Sequence, residues 1–356
     1  MAAPKFQTQK QSFHAELKRR TQEYFQTTGI STTGNYKLYT KAIILTLGLL
    51  LLYVHLVFFT PESALLALLE CAVLGIITAG IGFNISHDGS HGSFSKIKKL
   101  NEMAGMFLNV LGANEFMWNT KHNVIHHAYT NVDGVDDDLD AGPFLRLCET
   151  QKFRKIHRFQ HFYFWAAYSL LFFFWVFFSD YQKYFTKKVG TMPLKKMKAS
   201  DHIIFWTFKV FHLAFFVALP IYTVGLLPWA LGFLVYGLVA GFVMSIVFQL
   251  AHTVRETHFP VVSPVTNKLE DEWAVHQLKT TANFATNNKL VTWFSGGLNF
   301  QVEHHLFPKV SHVHYPALSV IVAQACAEFG IPYHNIPGMR MAVVSHVSYL
   351  KQLSRG

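Results

Sequence analysis

The sequence predicts an all-α membrane protein in which four transmembrane helices form two hairpins beneath a cytoplasmic helical cap. Three observations lead there. The 356 residues are 51% hydrophobic and only 15% charged, more apolar and less charged than the roughly 45–50% and ~25% of soluble domains. Four apolar runs are long enough to cross a bilayer. Histidine occurs 20 times, and much of it gathers just beyond the ends of those runs.

The runs cover residues 42–59, 64–84, 203–224 and 229–250, each near the ~20 residues that span a bilayer core. Short links around Pro61 and Glu62, and from Gly225 to Pro228, make each pair an antiparallel hairpin. A fifth stretch, 162–178 (FYFWAAYSLLFFFWVFF), is aromatic-rich and borderline in length. If it crossed, the histidine-rich segments before it and after residue 250 would face opposite sides of the membrane. It is therefore read as an interfacial or re-entrant helix, which its Trp and Tyr content suits. Lys183, Lys187, Lys188, Lys195, Lys196 and Lys198 follow it, as an inside location requires. The N-terminus, all the histidine clusters and the last hundred residues are then expected in the cytoplasm, in a bacterial inner membrane or the endoplasmic reticulum. No internal repeat or Pro/Ser-rich linker divides the chain, so one membrane domain (42–356) is expected after a cytoplasmic segment (1–41).

The formal net charge is +10, but Lys18, Arg19, Arg20, Lys37 and Lys41 flank an apolar run. That is the pattern of a positive-inside membrane protein rather than of a nucleic-acid binder. Such a face would attract anionic membrane lipids or an acidic electron-carrying protein. Cys71, Cys148 and Cys326 are too few and scattered for a metal motif or a disulfide framework. About 40 mostly polar residues precede the first run, so that run reads as an anchor rather than a cleaved signal.

The chemistry lies in three clusters: His87 and His91 in HDGSH, His122, His126 and His127 in HNVIHH, and His304 and His305 in QVEHH. On a helix, residues four apart share a face, so His87 with His91, and His122 with His126, can each aim two imidazoles at one point. Adjacent His126 and His127 point about 100° apart, which lets one segment reach two metals. A helix from 64 to 91 would run ~42 Å against a ~30 Å core, carrying His87 and His91 just outside the membrane. His252, after the fourth run in FQLAHT, sits at the matching point. Isolated histidines such as His55, His212 and His346 read as ordinary packing or surface groups. The clustered set reads as a dimetal site, although imidazole alone does not choose iron over zinc, copper or nickel.

HDGSH, HNVIHH and QVEHH, separated by membrane hairpins, resemble the three histidine boxes of the membrane fatty acid desaturase superfamily. The likeness runs from the first span through HVHYP near residue 315 and is closest to front-end acyl-lipid and acyl-CoA desaturases, in which glutamine replaces the first histidine of the third box, as Gln301 does here. Carried over by motif position, the resemblance makes His87, His91, His122, His126, His127, His304 and His305 iron ligands, with His252 a further one. It implies two iron ions, O2 as co-substrate and a fatty acyl lipid or acyl-CoA substrate. Three readings stand for Gln301: a missing ligand, a contact to metal-bound water, or a hydrogen bond to a neighbouring imidazole. His276, in EWAVHQLKTTANF, is a candidate for the missing nitrogen, with an ordinary surface residue as the competing reading. Asp88, Asn131, the run Asp136, Asp137 and Asp138, and Glu303 lie where carboxylates and amides can orient ligand imidazoles; a solvated loop is the competing reading. No His-Pro-Gly-Gly haem motif occurs, so electrons are expected from a separate ferredoxin or cytochrome b5.

A fatty acyl methylene has no acidic proton and no leaving group, so acids and bases alone cannot attack it. By analogy with the family, a di-iron centre would use O2 to remove two hydrogens, leaving a cis double bond. Adjacent methylenes are nearly identical chemically, so regiochemistry must come from where the chain lies, with Trp118 a candidate wall residue of an apolar tunnel. Two competitors stand: a fatty acyl hydroxylase with the same metal pair, and a histidine-rich metal transporter. A transporter would place its ligands within the spans, whereas these clusters sit beyond the span ends.

Overall fold

The first span does not begin where the apolar run begins. In the computed structural model, which describes residues 3–7 and 12–355, the helix is Tyr36–Phe58, six residues ahead of position 42. Its start is set by Asn35, whose side chain accepts the Lys37 N–H at 3.0 Å and satisfies a donor that a helix end leaves orphaned. Lys37 and Lys41 are thus inside the helix, and Lys41 is buried. The second span, Ala64–His91, is capped by Ser63 and runs unbroken to the histidines, stopping where Gly92 turns left-handed at φ 73°. The third, Ala199–Val224, is primed by Asp201, which accepts the Lys198 N–H at 2.7 Å. Gly225, at φ 91°, turns the chain into the fourth, Leu226–His252. Each expected crossing is present, extended at the end where caps rather than hydropathy decide.

Side chains such as Ile43, Leu47, Leu51, Leu65 and Leu69 are half or more exposed along these helices. An exposed apolar belt of this length fits a lipid environment, where helices satisfy their backbone polar groups internally. The chain is a multi-pass membrane protein. Between the spans Leu45, Leu49, Leu74, Ile81, Phe172, Tyr236 and Ala240 form a common core.

The fifth apolar stretch belongs to two helices, Lys155–Ser169 and Leu171–Thr186, meeting at 56°. Near its start, Gln160 donates to the Leu350 carbonyl of the C-terminal helix at 3.0 Å. Near its end, the Tyr184 hydroxyl meets His202, at the start of the third span, at 2.8 Å. Both contacts lie at the histidine-rich end of the bundle, and the sharp bend between the two helices is that of a broken span or a re-entrant segment. Its elbow rests on Gly237 and Gly241 of the fourth span: a Cβ on Gly241 would stand 2.4 Å from the Ser169 carbonyl oxygen, and one on Gly237 would strike the Phe173 ring. Two small residues four apart let helix backbones approach this closely. Lys209 of the third span anchors the second arm by donating to Asp180 (2.9 Å) and to the carbonyls of Val176 and Gly112.

Beyond the span ends lies a helical cap. Helices Phe13–Thr28, Trp273–Thr280, Gln301–Leu306 and Tyr315–Phe329 share a core of Phe13, Leu17, Leu278, Val302, Leu306 and Val322. The polar N-terminal segment is therefore largely part of the cap, tied down further by Arg20 on Glu328. Strand structure among the described residues is confined to two short pairs, of which Asn283–Phe284 runs parallel to Asn335–Ile336.

Gly241→Val should displace the bent segment and cost roughly 1–3 kcal/mol or more, as overpacking does. Detergent-solubilised Gly241→Val should melt below the wild type in a size-exclusion thermostability assay. Gly48→Ala, whose Cβ meets only Ile77 at 3.4 Å, should not.

Candidate metal centre

The histidines are placed by local winding as much as by spacing. The second span changes to a π-helix over Gly82–Ser86 before returning to α-helix at His87–His91. The second cluster lies on another π-helix, Thr120–His126, in which the His127 N–H bonds the His122 carbonyl five residues back. Such widened turns are frequent at functional sites. His122 and His126, four residues apart, converge with Asp138 as the spacing suggests, and the widened turn adds further meetings. His122 meets His127, with Nε2 atoms 3.2 Å apart, while His126 turns toward His252 and His305. On Gln301–Leu306 the adjacent imidazoles diverge: His304 Nε2 reaches within 3.2 Å of His87 Nε2, and His305 faces the end of the fourth span.

Two sets of convergent nitrogens result. His87, His91, His122 and His304 form one, with ring nitrogens all within 4.8 Å; His126, His252 and His305 form the other, and His127 makes a similar group with His304 and His305 across the two. Seven of these eight residues are buried and His91 is partly so.

Outer nitrogens are held from behind. His126 Nδ1 lies 2.9 Å from Asp136, His305 Nδ1 2.8 Å from the Gln277 amide oxygen and 3.2 Å from the Thr130 hydroxyl, and His304 Nδ1 3.2 Å from the Tyr315 hydroxyl. An acceptor at Nδ1 places the proton there and leaves Nε2 as a lone pair. Asp136 is itself fixed by the backbone N–H groups of Asn131 and Asp138.

The other polar candidates have distinct surroundings. Asn131 hydrogen-bonds backbone rather than an imidazole among the described residues; at φ 59°, a conformation asparagine tolerates, its amide donates to the carbonyls of His252, His258 and Thr280. Asp137 turns away to Lys183 at 3.2 Å, so Asp136 stands behind the ring instead. Asp88 accepts from Ser311 at 2.7 Å and lies 3.1 Å from His312 Nδ1 and 3.7 Å from His87 Nδ1. Glu303 meets Asn283 and Tyr333 rather than an imidazole, and burial pushes its carboxyl up to about 7 against the pull of those hydrogen bonds. The Gln301 amide nitrogen sits 2.8 Å from His252 Nε2 and 3.3 Å from His305 Nε2. His276 is buried, so it is not a surface residue. Its ring engages the Thr130 backbone and stacks edge-on against Phe6, and among the described residues it joins none of the convergent groups.

Gln277, Thr130, Tyr315, His312 and Lys41 are the neighbours that sequence reasoning missed. Tyr315 and His312 stood inside the HVHYP motif without a stated role. Lys41 would have been noticed had Asn35 been read as the start of the helix.

Whether the site fits a metal can be tested on its nitrogens. Imidazoles bind an ion at ~2.0–2.1 Å, so two on one ion stand roughly 3 Å apart, close to the 3.2 Å separations here. His91 Nε2 and His126 Nε2 are buried without a hydrogen-bond partner, an arrangement that costs free energy unless something else binds them. Burial, then the neighbouring imidazoles, holds His122, His127, His304 and His305 well below the ordinary histidine range, in the neutral form that a metal requires.

A bundle of four spans with eight imidazoles converging at one end thus defines a multi-pass membrane protein able to hold metal. A family model described as fatty acid desaturase matches residues 63–337. The chain is 34% identical over 344 residues to a sn-1 linoleoyl-lipid 6-desaturase of Arthrospira platensis, covering 96% of this chain and 92% of that one. It is 35% identical over 360 residues to a protein of the same name from Synechocystis sp. (98% and 97% covered), and 34% identical to an acyl-lipid (8-3)-desaturase of Physcomitrium patens (96% and 72%). The chain belongs to the fatty acid desaturase family and is an oxidoreductase that desaturates fatty acyl chains.

The lowered histidines make stability pH-dependent. Stripped of metal, the folded protein resists protonating these four rings, whereas the unfolded chain takes protons near the ordinary 6.5. Their contribution is complete above that pH and is lost as pH falls toward the folded values. His126 and Glu303 are both raised and act in the opposite sense, but buried His276 and His312 are lowered as well and add to the four. Chelator-treated protein should therefore melt at progressively lower temperature below about pH 6.5; a flat or rising profile would contradict this assignment.

Proposed function

We propose that the chain introduces a cis double bond near the carboxyl end of a lipid-linked fatty acyl chain, using O2 and a pair of iron ions. His87, His91, His122, His126, His127, His252, His304 and His305 are the ligands, and the active site and both termini face the cytoplasm. The observation that carries this reading is the pair of convergent imidazole groups sharing one buried pocket, with His127 lying against both. Lipid as the acyl carrier, and a bond toward the carboxyl end, are supported by the named activity of the Arthrospira and Synechocystis relatives.

When bound, iron would activate O2 and so supply the oxidising power toward an unactivated C–H bond that side chains lack. In balance, two adjacent methylenes lose one hydrogen each, and O2 with two further electrons and two protons becomes two waters. The chain's own residues hold and shield. Asp136, Gln277 with Thr130, and Tyr315 keep three imidazoles turned inward, and burial excludes bulk water. Trp118 stacks on His122, with ring centroids 4.5 Å apart, and forms a wall beside which the acyl chain lies. Gln301 occupies the place of a further donor between His252 and His305, where an amide holds a water or orients a ring. The two electrons come from a separate ferredoxin or cytochrome b5, drawn to the lysines of the cap.

Expression in a host that supplies a compatible donor, followed by gas chromatography and mass spectrometry of lipid fatty acids, should reveal a new unsaturated product absent with His126→Ala. A hydroxylated product would instead indicate oxygen transfer. Purified wild-type protein should carry close to two irons per chain.

The acidic run supplies a finer check. Asp136→Ala should weaken iron binding by roughly 10–100-fold, as loss of a ligand's supporting carboxylate does. Asp137→Ala, which loses only its lysine pairing, should retain its iron. Equal iron loss in both would refute the role given to Asp136.

A further inference from the structure

Lys41 lies in the first span with 5% of its surface exposed, and an ionisable group buried in a span demands an explanation. Its ammonium donates to Asn84 Oδ1 at 2.7 Å and meets His312 Nε2 at 3.0 Å, over the face of Trp293. The Asn84 amide nitrogen is already committed to the carbonyls of Gly80 and Phe294, both at 2.8 Å, so its oxygen is left for the lysine. An ammonium has protons to give and no lone pair. His312 must therefore present a bare Nε2 to Lys41 and carry its proton on Nδ1, which lies 3.1 Å from Asp88 Oδ2. The other Asp88 oxygen is 3.7 Å from His87 Nδ1, within electrostatic but beyond hydrogen-bond reach, so His87 Nδ1 and His312 Nδ1 face the carboxylate without a formed hydrogen bond, and His87 Nε2 points to His304.

We propose that Lys41 and His312 are positioning residues: the order Lys41, His312, Asp88, His87 is a relay, hydrogen-bonded at its first link and electrostatic at the next two, in which the Asp88 charge favours the His87 proton on Nδ1 and keeps the Nε2 lone pair turned toward the convergent imidazoles. The cation in the first span orients His312; His312 and Ser311 hold the Asp88 carboxylate; the carboxylate orients the ring. The chain's first span, which offers no ligand, thereby shapes the centre. The inference rests on reading His87 as a metal ligand.

The test is titration of metal-free, detergent-purified full-length protein with Co2+, following its visible d–d absorption, which reports coordination without turnover. Lys41→Met and His312→Leu remove the relay while keeping volume, and each should weaken Co2+ binding roughly 10–100-fold and shift the bands. His312→Gln keeps an acceptor for Lys41 and a donor for Asp88, and should remain within about threefold of the wild type. The double variant Lys41→Met/His312→Leu should be no weaker than the poorer single one, since both break one chain of contacts. Lys41→Met protein that is monodisperse and matches the wild type in affinity and spectrum would overturn the relay. Should Lys41→Met not fold, the His312 pair decides, because equal behaviour of the Gln and Leu variants would also overturn it. Failure of the wild type to bind Co2+ would remove the metal-centre reading itself, a result distinct from loss of the relay alone.

Discussion

The structure depends on bringing eight imidazoles from four distant stretches of chain to one buried place, most of them away from water. Each ring nitrogen that enters must leave water, and each must then find either a partner behind it or a shared occupant in front. The outer partners answer the first need: Asp136, Gln277, Thr130 and Tyr315 take Nδ1 atoms. The inward Nε2 atoms, crowded to 3.2 Å in two places, answer the second only when something positive lies among them. The fold's other features follow from this demand.

Topology is the first consequence. Clusters on both sides of the bent segment can meet only if that segment returns to the end from which it came, and Gly237 and Gly241 provide the seat that allows its elbow to turn inside the bundle. Backbone winding is the second. The π-turns before His87 and through His126 re-aim the rings by a fraction of a turn, a correction that α-helical periodicity cannot make.

Charge is the third consequence. Three consecutive aspartates divide their labour: Asp136 faces His126, Asp137 pairs with Lys183 on the bent segment, and Asp138 pairs with Lys121 at 2.7 Å. Nearby, Lys209 pairs with Asp180. Half-buried pairs of this kind add little net stability but are costly to break singly, because the remaining charge is then stranded. The Lys183–Asp137 pair ties the bent segment to the loop that carries the support for His126, and Lys209–Asp180 ties it to the third span.

The sequence by itself determined four runs long and apolar enough to cross a membrane and the identity of the converging histidines. Hydropathy and motif spacing are local or countable properties, and they survive folding. Only the tertiary structure decided which histidine meets which, that Asp136 rather than Asp137 stands behind His126, that His276 is buried apart from the convergent rings, and that Lys41 belongs to a span. Each of these turns on where a helix begins or how tightly one turn is wound. A one-residue change in winding rotates a side chain by about 100° without altering the composition or spacing from which the sequence is read.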